Sequence, residues 1–472
     1  MLPVVVIGAG SQGLASAAHL VERGLEPIVL ESGNGPAAAV SQWRHVRLFS
    51  PWSELTDAAS RRLLEPSGWA VPDRGFPTGA QWIDGYLAPL AAALGDRIRY
   101  DARVVGVGRK GRDLSVDAGR AEQPFVVHIR HADGSEERVE ASSVIDASGT
   151  WTSPNPAGAD GLPAIGEHAA IKAGVLDYRV PSIEDAAELA GKHVVVVGNG
   201  HSAATAIGVL ARIAKREAGT RVTWVLRRGL VGNAFGGGIA DELPERGALG
   251  QRAKMAVEDG LVDLLTGFRT ERVILDGGEA TLVSEDGRTL LAADRVVVLT
   301  GFRPDLSFLS EIRLDLDVRL QAPARVAVEV DPNLHSCGSV RATGAADLAH
   351  PEPGFYIVGA KSYGRAPTFL ALTGFEQVRS VVAEIAGDHE AAARVDLVLP
   401  DTGVCGGAGV FDAPEDESSG GSCCAPVQPT PPMVSESCCA TQAPAPVAET
   451  TGTSCCAPAP QLIQLEAASV AG

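Results

Sequence analysis

Two short glycine-rich turns lie 190 residues apart, and each follows directly on a run of β-branched residues. The first is Gly8-Ala9-Gly10-Ser11-Gln12-Gly13 after Val4-Val5-Val6-Ile7; the second is Gly198-Asn199-Gly200-His201-Ser202-Ala203 after His193-Val194-Val195-Val196-Val197. An apolar strand that ends in such a turn and opens a helix reads as the start of a βαβ unit. Two of them in one chain predict two dinucleotide-binding units.

In the first unit the helical pattern runs from Leu14 to Arg23, Gly24 closes it, and Pro27-Ile28-Val29-Leu30 leads to Glu31. Gly8 permits the tight turn, Gly10 lets the backbone approach a pyrophosphate, and Gly13 allows close helix–strand packing, while the helix N-terminus offers N–H groups to the anion. Glu31, 18 residues after Gly13, ends the second strand, where a carboxylate can accept hydrogen bonds from adenosine ribose hydroxyls. In the second unit Ser202 precedes Ala203, which takes the third small position. The following strand, Val222 to Leu226, ends in Arg227-Arg228 instead of an acid. A carboxylate there would repel a 2′-phosphate, whereas a guanidinium binds one through charge-assisted hydrogen bonds. NADPH is therefore expected over NADH; two solvated arginines at a strand end are the plainer alternative. A redox enzyme needs two dinucleotides when one stays bound and a second delivers the hydride, so FAD and NADPH are the expected pair.

The rest of the chain organises around these units. Residues 1–155 read as the first part of an FAD domain, with a helical segment from Ala80 to Leu94 and strands from Arg97 to Val107 and Phe125 to Arg130. A connecting segment, 156–184, leads to an inserted NADPH domain, 185–304, and 305–395 return to the FAD domain through a strand into Gly359 and a helix from Phe369 to Ile385. The expected fold class is α/β, two Rossmann-like domains followed by a disordered tail. Of the −18 formal charge, eight acids and no Lys or Arg fall in 401–472, and nothing resembles a nucleic-acid surface. With no cleavable leader pattern and no run of 18 apolar residues, the chain reads as cytoplasmic and soluble, without a membrane partner.

These residues resemble the flavin-containing monooxygenase superfamily over about residues 3–390. Asp146 to Trp151 and Leu299 to Pro304 look like that family's crossings between its two domains. The resemblance implies that NADPH reduces FAD and that the reduced flavin, with molecular oxygen, oxidises a soft nucleophile or a carbonyl. It implies cofactor contacts at Trp43, Arg47, Gly149, Gly301 and Gly359. Two departures stand out. The family's Phe-x-Gly-x-x-x-His-x-x-x-Tyr fingerprint is absent, its first three positions falling on His168, Ala170 and Gly174, and the glycine pair expected before Trp43 is altered across Gly33 to Ala39. Ala360 also stands where many flavoproteins carry an aspartate. No Ser-His-Asp, HExxH or zinc-ligand pattern stands out, so catalytic side chains are unassigned and the core chemistry rests on the cofactors. Phe49 and Trp52 either line the pocket or pack structurally, and the glycine-rich loop 232–238 either gates the crevice or is a surface insertion. Lys361, Tyr363 and Arg365 are candidate contacts to FAD phosphate or substrate.

Cysteine placement adds a second theme. The first 336 residues contain none, Cys337 is alone in the core, and Cys405 lies at the tail boundary. The other six form a repeated pair: Cys423-Cys424, Cys438-Cys439 and Cys455-Cys456, in Pro-, Ala- and Thr-rich sequence. A segment this poor in core-forming residues is expected to stay disordered. Paired thiolates select soft ions, and two neighbouring pairs supply the three sulfur ligands of trivalent arsenic; Hg(II), Cu(I) and Zn(II) are alternatives, as is a drifting low-complexity tail. With such a tail, the chain is similar to flavoprotein monooxygenases of bacterial arsenic-resistance clusters. That resemblance implies a small-molecule substrate, with trivalent arsenic or an organoarsenical as the expected candidates. Two other functions remain open: a flavin reductase that sends electrons to tail disulfides, and a non-enzymatic redox-linked metalloid sensor or chaperone.

Overall fold

The valine-rich runs before the glycine turns become strands buried on both faces, and the two faces meet different partners. The structure, a computed structural model, describes residues 2–72, 75–229, 235, 244–333, 340–367 and 369–397, all within the compact unit Met1–Glu415. One parallel sheet contains β1 (Val4–Ile7), β2 (Pro27–Leu30), β3 (Ile98–Arg99), β7 (Ser143–Asp146) and β15 (Phe355–Ile357), in the order β15-β7-β1-β2-β3. Between β3 and β7 in sequence, β4 (Ala102–Arg109), β5 (Phe125–His131) and β6 (Glu136–Ala141) form an antiparallel sheet. A second parallel sheet contains β8 (Leu176–Asp177), β9 (His193–Val197), β10 (Arg221–Val225), β11 (Asp263–Leu265) and β14 (Arg295–Val298), in the order β11-β10-β9-β14-β8. Its companion is the hairpin of β12 (Thr270–Asp276) and β13 (Glu279–Ser284). The four longest helices described are α1 (Ser11–Glu22), α2 (His201–Arg216), α3 (Pro244–Glu258) and α4 (Ala371–Ile385).

Strand alternation sorts the core. Val4 and Val6 of β1 pack with Leu14, Leu20, Val378 and Val381 of α1 and α4, while Val5 and Ile7 pack with Val104, Val107 and Phe125 of the antiparallel sheet. The second sheet repeats the arrangement. Val194 and Val196 face Ile207 and Leu210 of α2, and Val195 and Val197 face Val273 and Leu282 of the hairpin. Each fully buried side chain of this size contributes about 1.5–3 kcal/mol, so a polar residue within either run would reverse a large part of its strand's stabilisation.

The sequence reading of one strand from Arg97 to Val107 divides in two, because Asp101 adopts a left-handed conformation (φ 52°) that separates β3 from β4. The segment expected as a helix from Ala80 to Leu94 runs helically from Gly79 to Leu94 with a wider turn at Ile83–Leu87, against which the Trp52 ring packs at Gly85. The two connections between the parallel sheets lie side by side. Asn155 N donates to Gly301 O at 2.8 Å, Arg303 N to Ser153 O at 3.0 Å, and the rings of Trp151 and Phe302 stand 5.1 Å apart. Glu352 is buried between Arg109 and Arg120, at 2.7 Å from each, and pins the antiparallel sheet beside β15.

Candidate functional site

Parallel register brings Ile7, Leu30, Asp146 and Ile357 level at the carboxyl end of the first sheet, the edge where open α/β sheets place ligands. The first glycine turn stands on this edge. A Cβ on Gly13 would come 1.8 Å from Gly8 O, and one on Gly8 would come 2.9 Å from Ala147 O, so both glycines permit backbone-to-backbone packing. Gly10 is different: a Cβ there would meet nothing within 4 Å. The open face above Gly10, at the start of α1, is a cradle that fits a pyrophosphate. Glu31 is buried beside it, accepting from Ala9 N at 2.7 Å and Gly33 N at 2.8 Å, which fixes the carboxylate at the end of β2.

The other flavin-side candidates take distinct places. Gly359 abuts Gln12, whose Cγ would lie 2.9 Å from an added Cβ, and its N–H donates to Gln377 Oε1 at 2.9 Å. Gly149 follows β7 closely, with open space where a Cβ would stand. The Trp43 ring fills the space beneath Gly79, and Arg47 donates to Phe76 O. Trp52 is buried against Gly85 and so packs structurally, whereas Phe49 stands 5.4 Å from the His201 ring at the second glycine turn. With His45 bonded to Val180 O at 2.9 Å and Val46 packed on the second core, residues 43–49 connect the two sheets' surroundings. His168 is exposed, Tyr363 is buried, and Arg365 donates to Gln321 at 2.9 Å.

The second turn repeats the first. A Cβ on Gly198 would lie 2.2 Å from Leu299 O, while one on Gly200 would meet nothing within 4 Å, again leaving an open face at a helix N-terminus. Ser202 is half-buried on the first turn of α2, Ala203 is fully buried beneath it, and Gly301 lies across from Asn155. Arg227 and Arg228 follow β10, and Arg227 donates to Ala159 O at 2.7 Å. Backbone pairing continues past the strands, with Phe268 N on Leu226 O at 3.0 Å and Gly267 N on Arg228 O at 2.8 Å, so Arg269 arrives next to this pair. Desolvation first, then the charges of Arg228 and Arg269, hold the Arg227 guanidinium below the usual arginine range. Clustered positive charge at the end of β10 favours an anion such as a 2′-phosphate. Arg269 escaped the sequence reading because only strand pairing brings it within range.

Loop 232–238, apart from Phe235, lies outside the described residues, as do Cys337, Cys405 and the six paired cysteines. Among the described residues no group of three or more His, Cys, Asp or Glu could hold a metal ion, and no helix is long and apolar enough to cross a membrane.

Comparison with known proteins agrees with this architecture. The family described as pyridine nucleotide-disulphide oxidoreductase matches residues 5–324. A ferredoxin–NADP reductase of Ignicoccus hospitalis is 25% identical over 325 residues, covering 67% of this chain and 82% of that protein. Among solved structures, the bacillithiol disulfide reductase of Bacillus cereus aligns with a TM-score of 0.58 at 22% identity, covering 82% of this chain and 99% of that one. A variant flavin monooxygenase of Stenotrophomonas maltophilia aligns with a TM-score of 0.52 at 21% identity, covering 82% and 98%.

Proposed function

This chain belongs to the pyridine nucleotide-disulphide oxidoreductase family and is an NADPH-dependent flavoprotein oxidoreductase with FAD and NADPH as cofactors; from that premise we propose that it is a flavin monooxygenase oxidising a soft nucleophile in arsenic or thiol detoxification. We assign FAD to the first turn, at Gly8, Gly10, Gly13 and Glu31, and NADPH to the second, at Gly198, Gly200, Ser202 and Ala203, with Arg227, Arg228 and Arg269 around the 2′-phosphate. The flavin domain then comprises 1–155 and 305–395, and the NADPH domain 185–304. When bound, the flavin supplies hydride acceptance and, once reduced, reaction with molecular oxygen.

The observation that carries the monooxygenase reading is the cysteine inventory. Before residue 400 the chain holds a single cysteine, Cys337, so no pair of core thiols can relay electrons from a flavin to a disulfide. The paired cysteines are all in the tail, where Cys423, Cys424, Cys438, Cys439, Cys455 and Cys456 provide thiolates for trivalent arsenic or an organoarsenical. A second reading, a reductase whose electrons pass to tail disulfides, draws on those same three pairs.

One experiment separates the two. Oxygen uptake and NADPH loss are followed together while arsenite, a methylated arsenical or an organic sulfide is added. The monooxygenase reading expects one of these to raise both rates in step; NADPH loss without oxygen uptake, accompanied by new tail thiols, would overturn it in favour of the second reading.

A further inference from the structure

The strand order β15-β7-β1 brings three strand ends together beneath the first glycine turn, and a buried ion pair joins two of them. Lys361, two residues past Gly359, and Asp146, at the end of β7, both have side-chain exposures of 0%, with Nζ and Oδ2 2.7 Å apart. The same Nζ donates to Ser148 Oγ at 3.1 Å and lies 4.4 Å from the centroid of the Phe308 ring. Ser148 closes the circuit by donating to Asp146 Oδ1 from its N–H at 3.0 Å and its hydroxyl at 2.6 Å. Ammonium, hydroxyl and carboxylate thus form a closed ring whose ion pair is buried and whose serine lies at the surface.

This ring is coupled to the turn by direct contact. The backbone at Ala147 and Ser148 is the wall against which Gly8 packs, at 2.9 and 3.1 Å from the position of an added Cβ. On the other side, Val358 N donates to Asp146 O at 2.9 Å. Ser148 itself is exposed at the open edge of the sheet, held from behind by the buried lysine. Ala360, next to Lys361, offers no side-chain polar group of its own. A buried ion pair adds little net stability over an apolar pair of the same volume, but it fixes directions that an apolar pair leaves free.

We propose that Lys361 is the positioning residue of the first glycine turn: through Asp146 and Ser148 it sets the spacing between the Ala147–Gly149 backbone and Gly8 that FAD binding requires. The inference rests on the assignment of FAD to that turn. Lys361 is not a catalytic residue in this role, since it acts through Ser148 and Asp146.

The test is equilibrium binding of FAD to the flavin-free full chain, read by flavin fluorescence, with calorimetric binding of 2′,5′-ADP as the control at the second turn. Lys361→Met combined with Asp146→Asn leaves no unpaired buried charge; FAD affinity should weaken about tenfold or more, with 2′,5′-ADP affinity unchanged. Ser148→Ala keeps Lys361 and Asp146 in place but removes the hydroxyl that bonds both of them, so FAD affinity should shift in the same direction, and Ser148→Thr, which keeps the hydroxyl, should restore it. If the double variant does not fold, the two Ser148 variants decide. FAD affinity within about twofold of wild type in Ser148→Ala, or equal losses for FAD and 2′,5′-ADP, overturns the inference. A wild type that binds no FAD overturns the assignment of the first turn and this inference with it, a result distinct from unaffected variants of a flavin-binding wild type.

Discussion

Replacing Gly10 with valine separates cofactor binding from folding. Gly10 has φ −79° and ψ −173°, an extended conformation open to any residue, and an added Cβ meets nothing within 4 Å. The folded chain without cofactor therefore accommodates the side chain, and removing a glycine from the unfolded ensemble is worth about 0.4–1 kcal/mol in favour of folding. The valine methyl groups would instead fill the space proposed for the pyrophosphate. Wild type in FAD at 100 times its dissociation constant gains about 2.7 kcal/mol, and Gly10→Val should gain close to none. Thermal unfolding with and without FAD, together with flavin content after purification, reads both quantities. Wild type should be yellow and stabilised by FAD; the variant should be colourless, unaffected by FAD and at least as stable as flavin-free wild type. Gly13→Ala provides the contrast, since its Cβ would lie 1.8 Å from Gly8 O and the turn itself must deform. A Gly10→Val protein that retains a full complement of flavin would refute the cradle, and one that is unstable without flavin would refute the open-face geometry.

Alanine at both Arg227 and Arg228 should raise the Michaelis constant for NADPH about ten- to hundredfold and leave that for NADH nearly unchanged; equal wild-type use of the two nucleotides would contradict the 2′-phosphate assignment. A chain ended at Pro400 should stay folded, yellow and reducible by NADPH while losing most thiol-dependent arsenite binding, and undiminished arsenite binding would remove the tail's capture role. Acid sensitivity should have a component from Asp57, buried beside His19 at 2.9 Å. Burial alone would raise that carboxyl, but the His19 charge and hydrogen bonds from His19 and Ser60 outweigh it and hold it below its ordinary 3.8. Its stabilisation is thus present above about pH 4 and is lost as pH falls through the lower folded-state value, so denaturant midpoints for Asp57→Asn should fall less steeply in acid than those of wild type. Parallel acid slopes for the two proteins would count against this.

The glycine turns and their valine runs were legible because fully buried parallel strands read as unbroken apolar segments, and the close contacts of Gly8, Gly13 and Gly198 admit no side chain. Glu31 was legible for the same local reason, since it ends the strand that follows the first helix. What depends on distant pairing was not. Lys361 and Asp146 are 215 residues apart, and nothing near either marks the other as its partner. Arg269 joins Arg227 and Arg228 only through the backbone pairing that extends β10 and β11. His19 sits inside an apolar helical pattern, and its partner Asp57 arrives from a separate segment whose own role is to cap a helix through Ser60 N. Trp52 is buried because Gly85, 33 residues on, leaves room for its ring, a fit that no local pattern marks.

Anaerobic titration of the FAD-loaded protein with NADPH joins both turns in a single reading. With FAD at the first turn and NADPH at the second, one equivalent of NADPH should bleach the flavin's visible absorption, NADH should do so only at much higher concentration, and admitting oxygen should restore the colour. Flavin that stays oxidised in protein shown to have bound both nucleotides would contradict a hydride path between the two sites.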